Sequence, residues 1–222
     1  SADHTVDVLK SYGDRIRLIR QANSGSAVAR NAGIDAALGA YIAFLDSDDI
    51  WLPGKLSAQI AYMERYPEIG MTQGRWMVWE PGADGSFPHP ADMVRAEPED
   101  PEQPPPPVPD LSGWVYHLLL LDCVVWTSAV VARSELIERI GRFDERYVRG
   151  QDYQYWLRAS RLTRIDKLDR IVALYRQHVG NSTRTFPMRN YPAEIIDQAI
   201  AKWGTAGPDG SKTDPKLLRN HR

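Results

Sequence analysis

Short apolar runs and helically spaced apolar positions take turns along the first 80 residues. Arg15-Ile16-Arg17-Leu18-Ile19 predicts a short strand. Asn23-Ser24-Gly25-Ser26 then supplies capping residues for an alanine-rich helix that runs to about Leu38 and stops at Gly39. Tyr41 to Leu45 is an apolar run between a glycine and an acidic cluster, the pattern of a strand buried on both faces of a parallel sheet. Pro53 suits a first helical turn, and Leu56, Ile60 and Met63 follow at helical spacing. Gly70 to Trp79 reads as a strand again. Strand, helix, strand, helix, strand predicts an α/β sheet.

The pattern breaks at residues 81–110, which hold ten of the 16 prolines, seven acidic residues and a single basic one, Arg95. An extended surface loop is expected there. Beyond it the spacing predicts a helix over Leu111–Leu121, a strand over Val124–Val131, and a short helix over Ser134–Ile140 capped by Gly141. A helix over Gln151–Arg161, a strand over Arg170–Tyr175 and a helix over Ala193–Trp203 follow. The Gly-, Lys- and Asp-rich remainder, 204–222, reads as a flexible tail on a domain of residues 1–203.

Charge and composition remove several function classes. With 27 basic against 29 acidic residues, the net charge of −2 gives no bulk attraction to nucleic acid or anionic lipid. The single cysteine, Cys123, excludes an internal disulfide framework and a cysteine-rich zinc site. The stretch Val115–Val131 is broken by His117, Asp122, Thr127 and Ser128, so no transmembrane segment is expected. No nucleic-acid partner is expected either.

The candidate chemistry starts at Asp46-Ser47-Asp48-Asp49, directly after the apolar run. Ligands of open α/β sheets bind beyond the carboxyl ends of the strands. If the extended conformation persists, Asp46 and Asp48 point the same way, and two such carboxylates repel unless a cation or proton lies between them. Hard oxygen ligands favour Mg²⁺ or Mn²⁺. The other reading is a cluster that caps the following helix. On the alanine-rich helix, Ala27, Arg30, Asn31, Ile34 and Leu38 share one face. Its N-terminal turn, with Gly25 and Arg30 nearby, lies at the same sheet edge and suits an anion. The alternative is that Arg30 pairs with a structural carboxylate. Together the two features suggest a metal-bound diphosphate.

Asn23-Ser-Gly-Ser-Ala-Val-Ala-Arg-Asn-Ala-Gly-Ile34, Gly39-Ala-Tyr-Ile-Ala-Phe-Leu-Asp-Ser-Asp-Asp49 and Trp51-Leu-Pro-Gly-Lys-Leu56 resemble the core of a family 2 glycosyltransferase of the GT-A type. Ile140-Gly-Arg-Phe-Asp-Glu145, Gly150-Gln-Asp-Tyr-Gln-Tyr-Trp-Leu-Arg158 and Arg176-Gln-His-Val-Gly-Asn-Ser-Thr183 resemble its later motifs, so the likeness spans about residues 1–185. It implies a Rossmann-like mixed sheet flanked by helices. It also implies transfer of a sugar from a nucleotide-diphospho-sugar to a hydroxyl acceptor (a saccharide, lipid-linked or other), usually with inversion, in polysaccharide or glycoconjugate biosynthesis. Asp46 and Asp48 match the Asp-x-Asp motif that holds Mn²⁺ or Mg²⁺ on the donor's diphosphate. Asp49, Arg30, Asn31 and Gly25 fall to the nucleotide-sugar side. Asp152 matches the general base, although a first-turn acid facing the helix dipole reads the same. Where the family often has two adjacent carboxylates, Gln151 stands before Asp152.

His178 is a further candidate for the metal or diphosphate, against an ordinary satisfied histidine; Arg176 and Arg184 are candidates for phosphate. Trp126, Thr127 and Ser128 fall on the acceptor side, against a buried core role for the indole. The front of the chain departs from the family. Ser1-Ala2-Asp3 resembles the end of its second strand motif, with no strand–helix–strand unit ahead of it and no initiating methionine. That implies an N-terminally truncated domain with an exposed sheet face and poor nucleotide binding, or none. Two other functions stay open: a non-catalytic interaction module docking partners through 81–110, and a nucleotidyltransferase, for which the usual glycine-rich phosphate loop is missing. A cytoplasmic enzyme is expected, with peripheral association at the inner face of the membrane left open.

Overall fold

The structure, a computed structural model, describes residues 4–94, 100, 102–178, 181 and 190–220. Helix α1 (Thr5–Lys10) and one 3₁₀ turn (Gly13–Arg15) lead into an irregular segment before α2 (Ser26–Ala36). The strand expected at 15–19 does not form, and Ile16, Leu18 and Ile19 are exposed. A strand needs a partner row, and no described segment offers one there. Next come β1 (Tyr41–Ala43), β2 (Ile50–Trp51), α3 (Lys55–Arg65) and β3 (Ile69–Trp79). After the proline-rich region come α5 (Tyr116–Leu119), β4 (Val130–Arg133), α6 (Ser134–Ile140), α7 (Gln151–Ala159), β5 (Arg164–Arg176), α8 (Tyr191–Trp203) and α9 (Pro215–Asn220), with α4 (Pro90–Met93) inside that region.

The sheet is mixed, in the order β1-β4-β3-β5-β2, and only β3 and β5 run parallel. Strand β1 is therefore an edge strand, paired to β4 with Ile42 opposite Ala132. Of the apolar run expected to be buried on both faces, only Phe44 is buried; Leu45 is exposed. The edge of β1 away from β4 borders a groove of about 830 Å³, whose other wall is α2. Leu38, expected on the buried face of that helix, lies beyond its end and is exposed.

Helices cover both faces. On one, α5, α6, α7 and α8 bury Tyr116, Ile137, Tyr155, Trp156 and Ile195, and the Phe143 ring stacks on Tyr155 at 3.9 Å. On the other, α3 packs Tyr62 and Met63 on Ile69, Val131 and Leu168. Two expected elements are shorter than their apolar spacing suggests. The helix over 111–121 shrinks to α5, and the strand over 124–131 begins only at Val130, after a 3₁₀ turn at Thr127–Ala129. The last strand is longer than expected, because Asp166 within it is buried as the acceptor of the Tyr62 hydroxyl at 2.9 Å.

The proline-rich segment covers part of the sheet edge. Asp169 donates its backbone N–H to Pro106 at 2.8 Å, and Val108 donates to Lys167 at 2.7 Å, so 106–108 shields the half of β5 that β2 leaves unpaired. The segment after Trp203, expected as a flexible tail, packs on the domain: Thr213 and Leu218 are buried, and Thr213 Oγ1 donates to His117 O at 2.8 Å. No described helix is long and apolar enough to cross a membrane.

On α3 the spacing of apolar residues misidentifies the inner face. Leu56 is 41% exposed, while Lys55 is 2% exposed. Lys55 Nζ donates to Gln59 Oε1 at 2.7 Å and Val130 O at 3.3 Å, and sits 4.7 Å from the Trp51 ring centre. Burial lowers its pKa from 10.5 to about 7. At and below that value the folded chain carries a buried charge. Between it and the ordinary lysine value the unfolded chain binds the proton more tightly, so this term raises stability as pH rises. Relative to Lys55→Met, the wild-type chain is expected to gain roughly 2–3 kcal/mol between about pH 6 and about pH 9, measured by denaturant unfolding.

Candidate active site

Beyond β1 the backbone turns rather than staying extended: Asp49 donates its N–H to Asp46 O at 3.1 Å. Asp46 and Asp48 therefore do not line up as they would on a continuing strand. Each carboxylate of the cluster turns to a different partner. Asp46 Oδ1 accepts from Arg30 Nη2 at 2.6 Å. Asp48 Oδ2 lies 3.4 Å from His178 Nε2 and accepts from Asn181 Nδ2 at 3.3 Å. Asp49 points inward, its Oδ2 accepting from Ser128 Oγ at 2.5 Å and its Oδ1 from the Arg176 N–H at 3.3 Å. Burial, aided by the carboxylates of Asp48 and Asp46, pushes Asp49 up to about 6 against the pull of those two donors.

The turn Thr127–Ala129 joins this cluster to the second acidic position. Ser128 Oγ, which donates to Asp49, also accepts from the Asp46 N–H at 3.1 Å. Its neighbour Thr127 sends Oγ1 to Asp152 Oδ2, at a long 3.4 Å. Asp152 sits in the first turn of α7, after Gly150 in the left-handed region (φ 71°), where its Oδ1 accepts from the Tyr153 N–H at 2.8 Å. Gln151 donates through Nε2 to Ser26 Oγ, which ties the start of α7 to the start of α2. Gly25, at φ 90°, caps that helix, and both Gly25 and Arg30 line the groove beside β1.

Asn31 has a different occupation. Its amide accepts from Phe143 N at 2.8 Å and donates to Phe143 O at 3.0 Å and Glu145 Oε1 at 2.8 Å, so it clamps the Ile140–Glu145 motif onto α2. Trp126 donates its backbone N–H to Gln73 Oε1 at 3.2 Å, and its half-buried ring meets Trp76 and Tyr175. Arg176 stacks on Trp79, with the guanidinium carbon 4.4 Å from the ring centre. Arg184 lies outside the described residues. Asn181, which reaches Asp48, and Trp76 and Tyr175, whose rings pack on Trp126, are neighbours that sequence spacing missed. Asn181 lies in the quoted closing motif, but neither aromatic carries a local signal that marks it.

The donor set suits a small hard cation only when a ligand completes it. No group of three or more His, Cys, Asp or Glu side chains is preassembled among the described residues. The half-exposed Asp48 with His178 beside it, and Asp46 nearby, offer one or two carboxylates, the share of protein ligands that Mg²⁺ or Mn²⁺ takes when phosphate oxygens fill the rest. Two buried guanidinium nitrogens, Arg30 Nη1 and Arg176 Nε, have no partner among the described residues. Arg30 is ion-paired to Asp46 in the acidic cluster, where an anion would satisfy its free nitrogen, whereas the Arg176 guanidinium stacks on Trp79 and Phe87 and only its backbone N–H reaches Asp49.

Residues 1–91 match the model for Glycosyl transferase family 2. The amylovoran biosynthesis glycosyltransferase AmsB of Erwinia amylovora is 33% identical over 154 residues, 68% of this chain and 46% of AmsB. The chain belongs to glycosyl transferase family 2. The uncharacterized glycosyltransferase alr2836 of Nostoc sp. is 27% identical over 213 residues, 90% of this chain and 60% of that protein. Among solved structures, S. aureus TarS 1-349 in complex with UDP-GlcNAc superposes with a TM-score of 0.60 at 16% identity, over 91% of this chain and 54% of TarS. That likeness establishes the GT-A fold of the family 2 chain. The chain spans about half the length of these relatives.

Proposed function

We propose that this family 2 chain carries the catalytic centre of an inverting glycosyltransferase that moves a sugar from a nucleotide-diphospho-sugar to an acceptor hydroxyl. The observation that carries the reading is the Thr127–Ser128 turn, whose adjacent hydroxyls touch Asp152 on one side and the Asp46–Asp49 cluster on the other. Carboxylates more than a hundred residues apart thereby flank one small space.

In this reading Asp152 takes the proton of the acceptor hydroxyl. The freed oxygen forms the new bond at the anomeric carbon as the bond from that carbon to the diphosphate breaks on the opposite face, which inverts the configuration. Thr127 and the Tyr153 N–H hold the Asp152 carboxylate in place. Arg30, paired with Asp46, brings positive charge toward the diphosphate, and the α2 N-terminus at Gly25 adds backbone donors. Mn²⁺ or Mg²⁺ at Asp48 and Asp46, with His178 adjacent, would supply Lewis-acid stabilisation of the departing nucleoside diphosphate.

A UDP donor is the first to test, because the TarS neighbour is recorded with UDP-GlcNAc. UDP released from UDP-GlcNAc and other UDP-sugars is measured with Mn²⁺ and with chelator, over a panel of soluble glycosides. Mn²⁺-dependent UDP release that rises with an acceptor is expected. Release of pyrophosphate instead would contradict the assignment.

A further inference from the structure

Beside Thr127 three aromatic rings from three elements meet. Trp76 of β3 lies 5.1 Å from Trp126 at an interplanar angle of 46°. Tyr175 of β5 meets both edge-on, at 5.9 Å from Trp76 and 5.6 Å from Trp126. Trp76 remains 40% exposed, unusual for an indole on a central strand.

The exposure is built into the strand. The β3–β5 pairing shifts register between Gly74 and Arg75 and again between Arg75 and Trp76. Two consecutive side chains, Arg75 and Trp76, consequently face solvent where simple alternation would turn one inward. Gly74 has no room for a Cβ against the Val172 side chain, so the irregularity needs glycine there. Trp126 is held by the buried Gln73, whose Oε1 accepts from the Trp126 N–H at 3.2 Å and whose Nε2 donates to Val124 O at 2.9 Å. The rings form a partly exposed aromatic cluster held in place by its neighbours.

We infer that Trp76, Trp126 and Tyr175 form the acceptor platform, and that the acceptor is a saccharide whose pyranose ring stacks there. The inference rests on the transferase reading above and names its substrate class. A pyranose presents apolar C–H faces and a rim of hydroxyls, which calls for an aromatic surface beside directional acceptors. The aromatic cluster supplies the first, and Trp126 is followed at once by Thr127, whose hydroxyl reaches Asp152. A lipid chain would need a longer apolar track, but the residue beside Trp76 on β3 is a charged one. Arg75, next to Trp76 on β3, is exposed and pairs with Asp169 at 2.6 Å.

The test uses the full chain with ¹⁵N-labelled tryptophan, whose seven indole N–H signals are assigned by single Trp→Phe variants. Soluble mono- to tetrasaccharides of glucose, galactose, mannose and N-acetylglucosamine are titrated to millimolar concentration, alongside a short-chain alkyl detergent. Saturable shifts of the Trp76 and Trp126 signals with at least one saccharide are expected. Trp76→Ala should weaken that binding about tenfold and Trp76→Phe less, with Mn²⁺-dependent UDP uptake unchanged in both. No saccharide moving these signals overturns the platform, as does binding that Trp76→Ala leaves intact, or a detergent that shifts them as strongly as any sugar. Saccharide binding without any UDP uptake supports the platform and overturns the transferase reading instead.

Discussion

Asp48→Ala is expected to lower sugar transfer by roughly 10³-fold, the largest loss among single substitutions at the cluster. Of its three carboxylates, Asp48 is the one that faces outward with nitrogen donors rather than a charged partner, 3.4 Å from His178 Nε2 and 3.3 Å from Asn181 Nδ2. Asp46 is already committed to Arg30 at 2.6 Å, and Asp49 to Ser128 and the Arg176 N–H. The removed side chain is half-exposed, so the fold should survive, with a melting temperature close to wild type. Steady-state assays across Mn²⁺ concentration separate the outcomes. Recovery at high Mn²⁺ would mean weakened uptake alone, whereas a loss that no Mn²⁺ restores means the leaving diphosphate has lost its stabilisation.

Asp152→Asn should cut transfer by about 10²–10⁴-fold while leaving nucleotide binding unchanged. The amide is nearly isosteric, and its carbonyl oxygen still accepts from the Tyr153 N–H or from Thr127. What it cannot do is take a proton from the acceptor. The distinction from Asp48→Ala is the readout: kcat falls for Asp152→Asn with UDP affinity intact, whereas UDP affinity falls with kcat for Asp48→Ala. A variant of Asp152 that transfers at the wild-type rate would return this residue to the role of a helix-dipole acid.

Much of this arrangement could be read from the sequence, but unevenly. Helices α2, α6, α7 and α8 follow from spacing and caps, and β3 forms over the expected stretch although its first half is buried on both faces. The acidic cluster and Asp152 were visible as motifs, and the fold brings both to one turn. The misreadings share a cause: alternation along the chain does not say which neighbour lies alongside. Tyr41–Ala43 looks fully buried but sits at a sheet edge, and Arg15–Ile19 has strand character but no partner. Lys55 is buried where Leu56 was expected because Gln59 and Val130 O satisfy its amine. Trp76 is exposed only because a bulge at Gly74 re-aims it, a tertiary feature with no local mark.

The most direct test of the central claim is Mn²⁺ uptake followed by electron paramagnetic resonance, with and without millimolar UDP, in wild type and Asp48→Ala. The expected result is Mn²⁺ bound at one site, tightened by UDP, with both effects lost in Asp48→Ala and retained in Asp152→Asn. Mn²⁺ uptake that UDP does not change, or that survives loss of Asp48, would contradict the assignment of a metal–diphosphate centre to this cluster.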